Sequence, residues 1–154
     1  MRDFNEVDRE KKSERIHIKG NPGDLSKESL SELESVVKAS LKDGYLSCPV
    51  AWGIARKFNV TKTTIGVIAD RLGIRITNCQ LGYFKIEKTP YDNSSYSNID
   101  GEICNILKEL HETDQLTCAK AFELARQFNL KPIVIANEVN AMGLKIRGCQ
   151  LGCF

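Results

Sequence analysis

At 154 residues, with 42% hydrophobic and 27% charged residues and a formal net charge of +2, the chain has the composition of a globular protein. No apolar run is long enough to cross a bilayer, so a helical membrane protein is excluded. No Walker-type or dinucleotide glycine loop, GxSxG or HExxH occurs, and the two histidines, His17 and His111, stand in unrelated contexts. The chain is therefore expected to be no enzyme and to need no cofactor.

Residues 1–23 alternate charges with few apolar anchors and end in Gly20-Asn21-Pro22-Gly23. They read as a charged mobile arm without the apolar stretch of a secretory signal, which points to a cytoplasmic protein. Within the arm, Ile16–Ile18 has the pattern of a short edge strand. A helix follows, with Leu30, Leu33, Val36, Val37 and Leu41 on one face and Asp43-Gly44 as its stop.

A second helix begins after Ser47, a candidate N-cap, and places Ala51, Ile54, Ala55 and Phe58 on one face. Asn59 suits a single left-handed residue in a tight turn. A third helix spans about 61–72, and Gly73 caps it. The segment from Gly73 to Phe84, GIRITNCQLGYF, alternates in character and bends at Asn78. It reads as a short strand or a minimal β-hairpin wing.

The same order then recurs. Cys48–Phe84 aligns without a gap to Cys118–Phe154, 70 residues on, with 14 of 37 positions identical. Ala55-Arg56 returns as Ala125-Arg126, Phe58-Asn59 as Phe128-Asn129, and Cys79-Gln80-Leu81-Gly82 as Cys149-Gln150-Leu151-Gly152. The first helix recurs too: Leu33, Val36 and Val37 map to Ile103, Ile106 and Leu107 on a helix stopped near Thr113-Asp114. Thr117 repeats the N-cap, Pro132 opens the third helix and Gly143 closes it. One core position departs, because Glu138 stands where the first copy has Ile68. Either the third helix rotates there or Val139 takes over the core.

The fold class is thus mainly α, with two tandem three-helix domains at 24–86 and 98–154 and a turn-rich linker at 87–97. Domains of this size sit near the lower limit for an unaided core, so packing of the copies on each other, or a homodimer, is expected.

The pattern from Ala51 to Asp70 resembles the helix-turn-helix superfamily of DNA-binding domains, in its winged-helix-like form. Ala55 lies where two helices cross, Phe58 and Val60 flank the turn at Asn59, and Ile65 and Ile68 face inward. The resemblance covers about 21 residues in each copy. It implies that the third helix enters the major groove of double-stranded DNA, with Thr61, Lys62, Thr63, Gly66 and Val67 facing the bases. Arg56, Lys57, Arg71 and Arg75 would then meet phosphates. The function this implies is a transcriptional regulator reading DNA through its first copy.

Charge singles out that copy. Cys48–Lys88 holds seven Lys/Arg against two Asp/Glu, whereas residues 100–154 hold six against seven. The equivalent set in the second copy, Lys131, Pro132, Ile133, Ala136 and Asn137, is largely apolar and suits a protein contact. The alternative function is accordingly a protein-interaction or accessory module on the same scaffold. The two are separated by whether the first copy's third helix is exposed or buried against the second copy, burial there favouring the interaction module.

Cys48 and Cys79 recur as Cys118 and Cys149, and Cys153 is added in the second copy. Without export these thiols are expected to be reduced. As small hydrophobes they fill the core; as ligands, with His111 as a fourth, they would hold zinc, although no CxxC pair is present. A reversible thiol switch is a further use of the same set. In the CQLG endings, Leu81 is expected to fill the core and Gly82 to allow a bend, while Gln80 could reach a base from a wing.

Overall fold

A computed structural model describes residues 6–7, 24–83 and 101–153. The arm beyond Glu6 and Val7, the Ile16–Ile18 strand and the 87–97 linker lie outside the described residues. What is described is mainly helical, with one small parallel sheet. It gathers into two compact units. The first runs to Cys79 and also takes in Leu151–Cys153; the second runs from Gln80 to Gln150.

In the first unit, helix α1 spans Lys27–Ala39, and the Ser26 hydroxyl caps it by accepting from the Ser29 N–H at 3.1 Å. Leu33 and Val37, one turn apart, are its buried residues. Asp43 and Gly44, at φ 52° and 81°, turn the chain into strand β1, Tyr45–Ser47. Helix α2, Cys48–Lys57, buries Cys48, Ala51, Ile54 and Ala55. Its end is a Schellman-type closure, with the Val60 N–H donating to Ala55 O at 3.0 Å around Asn59 at φ 52°. Asparagine is one of the few side chains that tolerate this left-handed turn, and Asn129 repeats it at φ 53°. Helix α3 is Lys62–Arg71, and Gly73 at φ 67° follows it.

Strand β2, Arg75–Thr77, comes next. It does not fold back as a wing. It pairs in parallel with β1, in the register Tyr45↔Arg75, Leu46↔Ile76 and Ser47↔Thr77. Two helices separate the strands and return the chain to the end it started from, so the strands run the same way, as a crossover requires. Fully buried Leu46 anchors the pair.

The second unit repeats this plan with α4 at Gly101–Glu112, α5 at Cys118–Gln127 and α6 at Pro132–Ala141. Its strand pairing has shrunk to a single parallel bridge, Thr117↔Arg147, the positional equivalent of Ser47↔Thr77. Pro132 opens α6 as expected, and Gly143 follows it at φ 69°.

The two expected N-caps behave differently. Thr117 accepts from the Lys120 N–H at 3.2 Å, whereas Ser47 sits at the cap position without a side-chain cap bond. Thr117→Ala is expected to destabilise the protein by about 1 kcal/mol and Ser47→Ala by a few tenths, read as shifts in the urea midpoint.

Glu138 is accommodated as a swap of neighbours. In α3, Ile68 and Ala69 are both fully buried; in α6, Glu138 is half-buried and Val139 fully buried, so bulk lost at one position returns at the next. The first helix follows suit. Glu34 pairs with Arg71 at 3.5 Å in the first unit, and its repeat equivalent Cys104 donates to Glu138 at 3.4 Å in the second. Burial, and then this bond to a carboxylate, push the Cys104 thiol above its ordinary pKa and keep it protonated.

Candidate nucleic-acid interface

The expected DNA-contacting residues fall into two groups in the first unit. Arg56 and Lys57 close α2, and Thr61, Lys62 and Thr63 open α3, so these five flank one turn centred on Asn59. Arg71 closes the far end of α3, and Arg75 lies beyond it in β2. That helix has ten residues, so the two groups are separated by about 15 Å of helix axis.

Around the turn, Arg56, Lys57, Thr61 and Thr63 are exposed. The Thr61 hydroxyl is already engaged. It accepts from the Thr64 N–H at 3.1 Å and lies 2.8 Å from the Thr64 hydroxyl, which fixes the start of α3. Lys57 Nζ lies 5.6 Å from the centre of the Phe58 ring. Lys62 Nζ sits 3.5 Å from the centre of the Trp52 ring, a close cation–π contact that bridges α2 and α3. A phosphate contact by Lys62 would have to compete with this stacking.

The middle of α3 is closed. Thr64, Ile65, Gly66, Ile68, Ala69 and Asp70 are all buried and Val67 is half-buried. Four of these form the core face seen in any amphipathic helix; Gly66 does not belong to it. A methyl group placed on Gly66 would overlap the carbonyl of Leu151, lying 2.8 Å from its carbon. The close approach anticipated at this glycine is thus made by the chain's own C-terminal segment. Of the residues expected to face bases, Thr61 and Thr63 at the start of the helix are exposed, and Val67 is half-buried.

At the other end, Arg71 pairs with Glu34. Arg75 is half-buried in β2 opposite Tyr45. Neither adds to the basic rim around Asn59.

In the second unit the equivalent helix is also covered. Ala136 is fully buried, and a methyl on Gly82 would come within 2.6 Å of Ile133 Cδ1. Both CQLG endings act as expected of core pieces: Leu81 and Leu151 are each 2% exposed, and Gly82 and Gly152 adopt φ 83° and 74°. What sequence reasoning missed is their destination. Leu151 packs in the unit built from the first repeat, and Gly82 packs in the unit built from the second.

All six cysteines are thiols, with no disulfide among them. Cys48, Cys79 and Cys118 are buried; Cys104, Cys149 and Cys153 are half-buried. Cys118 Sγ accepts from Gln150 Nε2 at 3.6 Å. Among the described residues, no three His, Cys, Asp or Glu side chains come together as a metal would need. His111 is exposed in the last turn of α4. The candidates Cys48, Cys79, Cys118, Cys149 and Cys153 are therefore not assembled as a zinc site. Nor is any described helix long and apolar enough to cross a membrane.

Compared with known protein families, with characterised proteins and with solved structures, the chain matches none.

Proposed function

We propose that this protein binds double-stranded DNA through its first unit, as a regulator on a helix-turn-helix scaffold. The observation that carries the reading is the exposed rim around Asn59. Two helices meet there at a tight left-handed turn, and Arg56, Lys57, Thr61 and Thr63 are all exposed beside it. The first turn of a recognition helix is the part that reaches base edges in such scaffolds, while cations beside it take the phosphates. The second unit has an apolar equivalent surface, buried at Ala136, and serves as an accessory domain.

The test is binding to mixed-sequence duplex across a salt series. An Arg56→Glu/Lys57→Glu variant is expected to lose affinity about tenfold or more, with a log–log salt slope shallower by about one to two. Absence of binding by the unmodified protein at low salt would reject the reading, since the phosphate contribution does not depend on sequence.

One observation favours an interaction module instead. The outward faces of α3 and α6 both accept polypeptide, at Gly66 and at Ile133. Under that reading the charge-reversed variant behaves like the parent in every binding assay with nucleic acid.

A further inference from the structure

We propose that the C-terminal segment Leu151–Cys153 is a releasable cover over the groove-facing side of α3, so that full base reading by the first unit requires this segment to leave. The inference rests on the DNA-binding reading above and adds its control.

Gly66 lies in the middle of α3, and the backbone of Leu151 occupies the space in front of it. A base edge and the Leu151 carbonyl cannot both fill that space. The covered face is not the one that holds the helix in the unit: Ile65, Ile68 and Ala69 make the core, each fully buried. Removing the segment therefore uncovers Gly66 and withdraws one leucine, Leu151, from the core.

The cover is short. Of its three residues only Leu151 is buried, at 2% exposure; Gly152 and Cys153 are half-buried. One leucine biases such an equilibrium by a factor on the order of 10 to 100. A duplex that contacts the uncovered helix can supply a differential affinity of that size. Two residues in the left-handed region, Gly148 at φ 62° before the segment and Gly152 at φ 74° within it, hold conformations that glycine leaves without strain.

The glycine itself points the same way. A glycine inside a helix weakens it relative to alanine, and the second repeat has Ala136 at the equivalent place. In that unit Gly82 of the incoming segment lies against Ile133, one turn earlier, and Ala136 is fully buried.

Hydrogen exchange of the full chain, with and without a short mixed-sequence duplex at low salt, tests the cover beside the affinity of Leu151→Ala. Duplex binding is expected to strip protection from residues 149–153 while protecting the start of α3. Leu151→Ala is expected to bind about tenfold or more tightly. If duplex binds while 149–153 stay protected and L151A matches the parent, the cover is refuted and the DNA reading stands. If neither protein binds duplex, the DNA reading falls and the cover with it. Should L151A fail to fold, exchange in the unmodified protein decides alone.

Discussion

Ile68→Glu is expected to destabilise the protein by about 4 kcal/mol, the largest effect of any substitution considered, although the second repeat carries glutamate at this very position. Ile68 is fully buried in α3 and its neighbour Ala69 is too small to compensate. Loss of its burial accounts for roughly 2–3 kcal/mol, and enclosing a carboxyl group adds at least 1–2 more. The second repeat accepts Glu138 because Val139 fills the core and Cys104 donates a bond to the carboxylate. In the first repeat the residue equivalent to Cys104 is Glu34, so the new carboxyl would meet a like charge instead of a donor. Urea melts check this directly. A midpoint for I68E within error of the parent, at unchanged slope, would show that Ile68 is not the core residue its burial indicates. The mirror change, Glu138→Ile, is expected to alter stability by less than about 1 kcal/mol, because it removes a half-exposed charge and adds apolar bulk beside Val139.

Gly66→Ala is expected to reverse the usual sign of a glycine-to-alanine change in a helix. On helix propensity alone it should stabilise by about 1 kcal/mol. Here the added methyl would strike the main chain of Leu151, which cannot rotate out of the way as a side chain would. Displacing that segment removes one leucine from the core, worth about 2–3 kcal/mol, and leaves a net loss of about 1.5 kcal/mol. Ala136→Gly in the second repeat should follow the ordinary order and lose about 1 kcal/mol. Thermal unfolding of the two variants side by side gives the comparison. A stabilised G66A protein would mean that Leu151 does not lie against α3.

Most of the local architecture was legible in the amino-acid order because it is written in residues with narrow conformational tastes. Asn59 and Asn129 mark the tight turns, Gly73 and Gly143 the helix ends, and Pro132 a helix start; all five occupy those places. The apolar spacing of Leu33 and Val37, repeated at Ile103 and Leu107, marked the buried face of each first helix. The compensation at Val139 was readable for the same reason, since a helix face tolerates a shift of one position when volume is kept.

Two features were not legible. The strand after each third helix was open to a hairpin or a single strand, and alternation alone does not say which partner it takes; the parallel pairing with β1 follows from the crossover, not from the residues of β2. The placement of the two CQLG endings was hidden by the duplication itself. When two tails are alike in register, docking each on its own repeat or on the other buries the same leucine in the same kind of slot. The one asymmetry that bears on the choice, Gly66 against Ala136, looked like an allowance for DNA. Of the basic residues, Arg56 and Lys57 are exposed beside the turn, while Arg71 ends α3 and Arg75 lies in β2.

Because the first unit takes Leu151–Cys153 into its core, the part of the protein that begins folding first is completed by residues made after the helices of the second repeat. Its three helices emerge long before the piece that completes them, and the contact between Gly66 and Leu151 spans more than half the chain. Contacts so distant in sequence are slow to form. A nascent chain halted anywhere before residue 151 carries a first unit with an open slot on α3, and the arrival of Leu151 is the event that closes it.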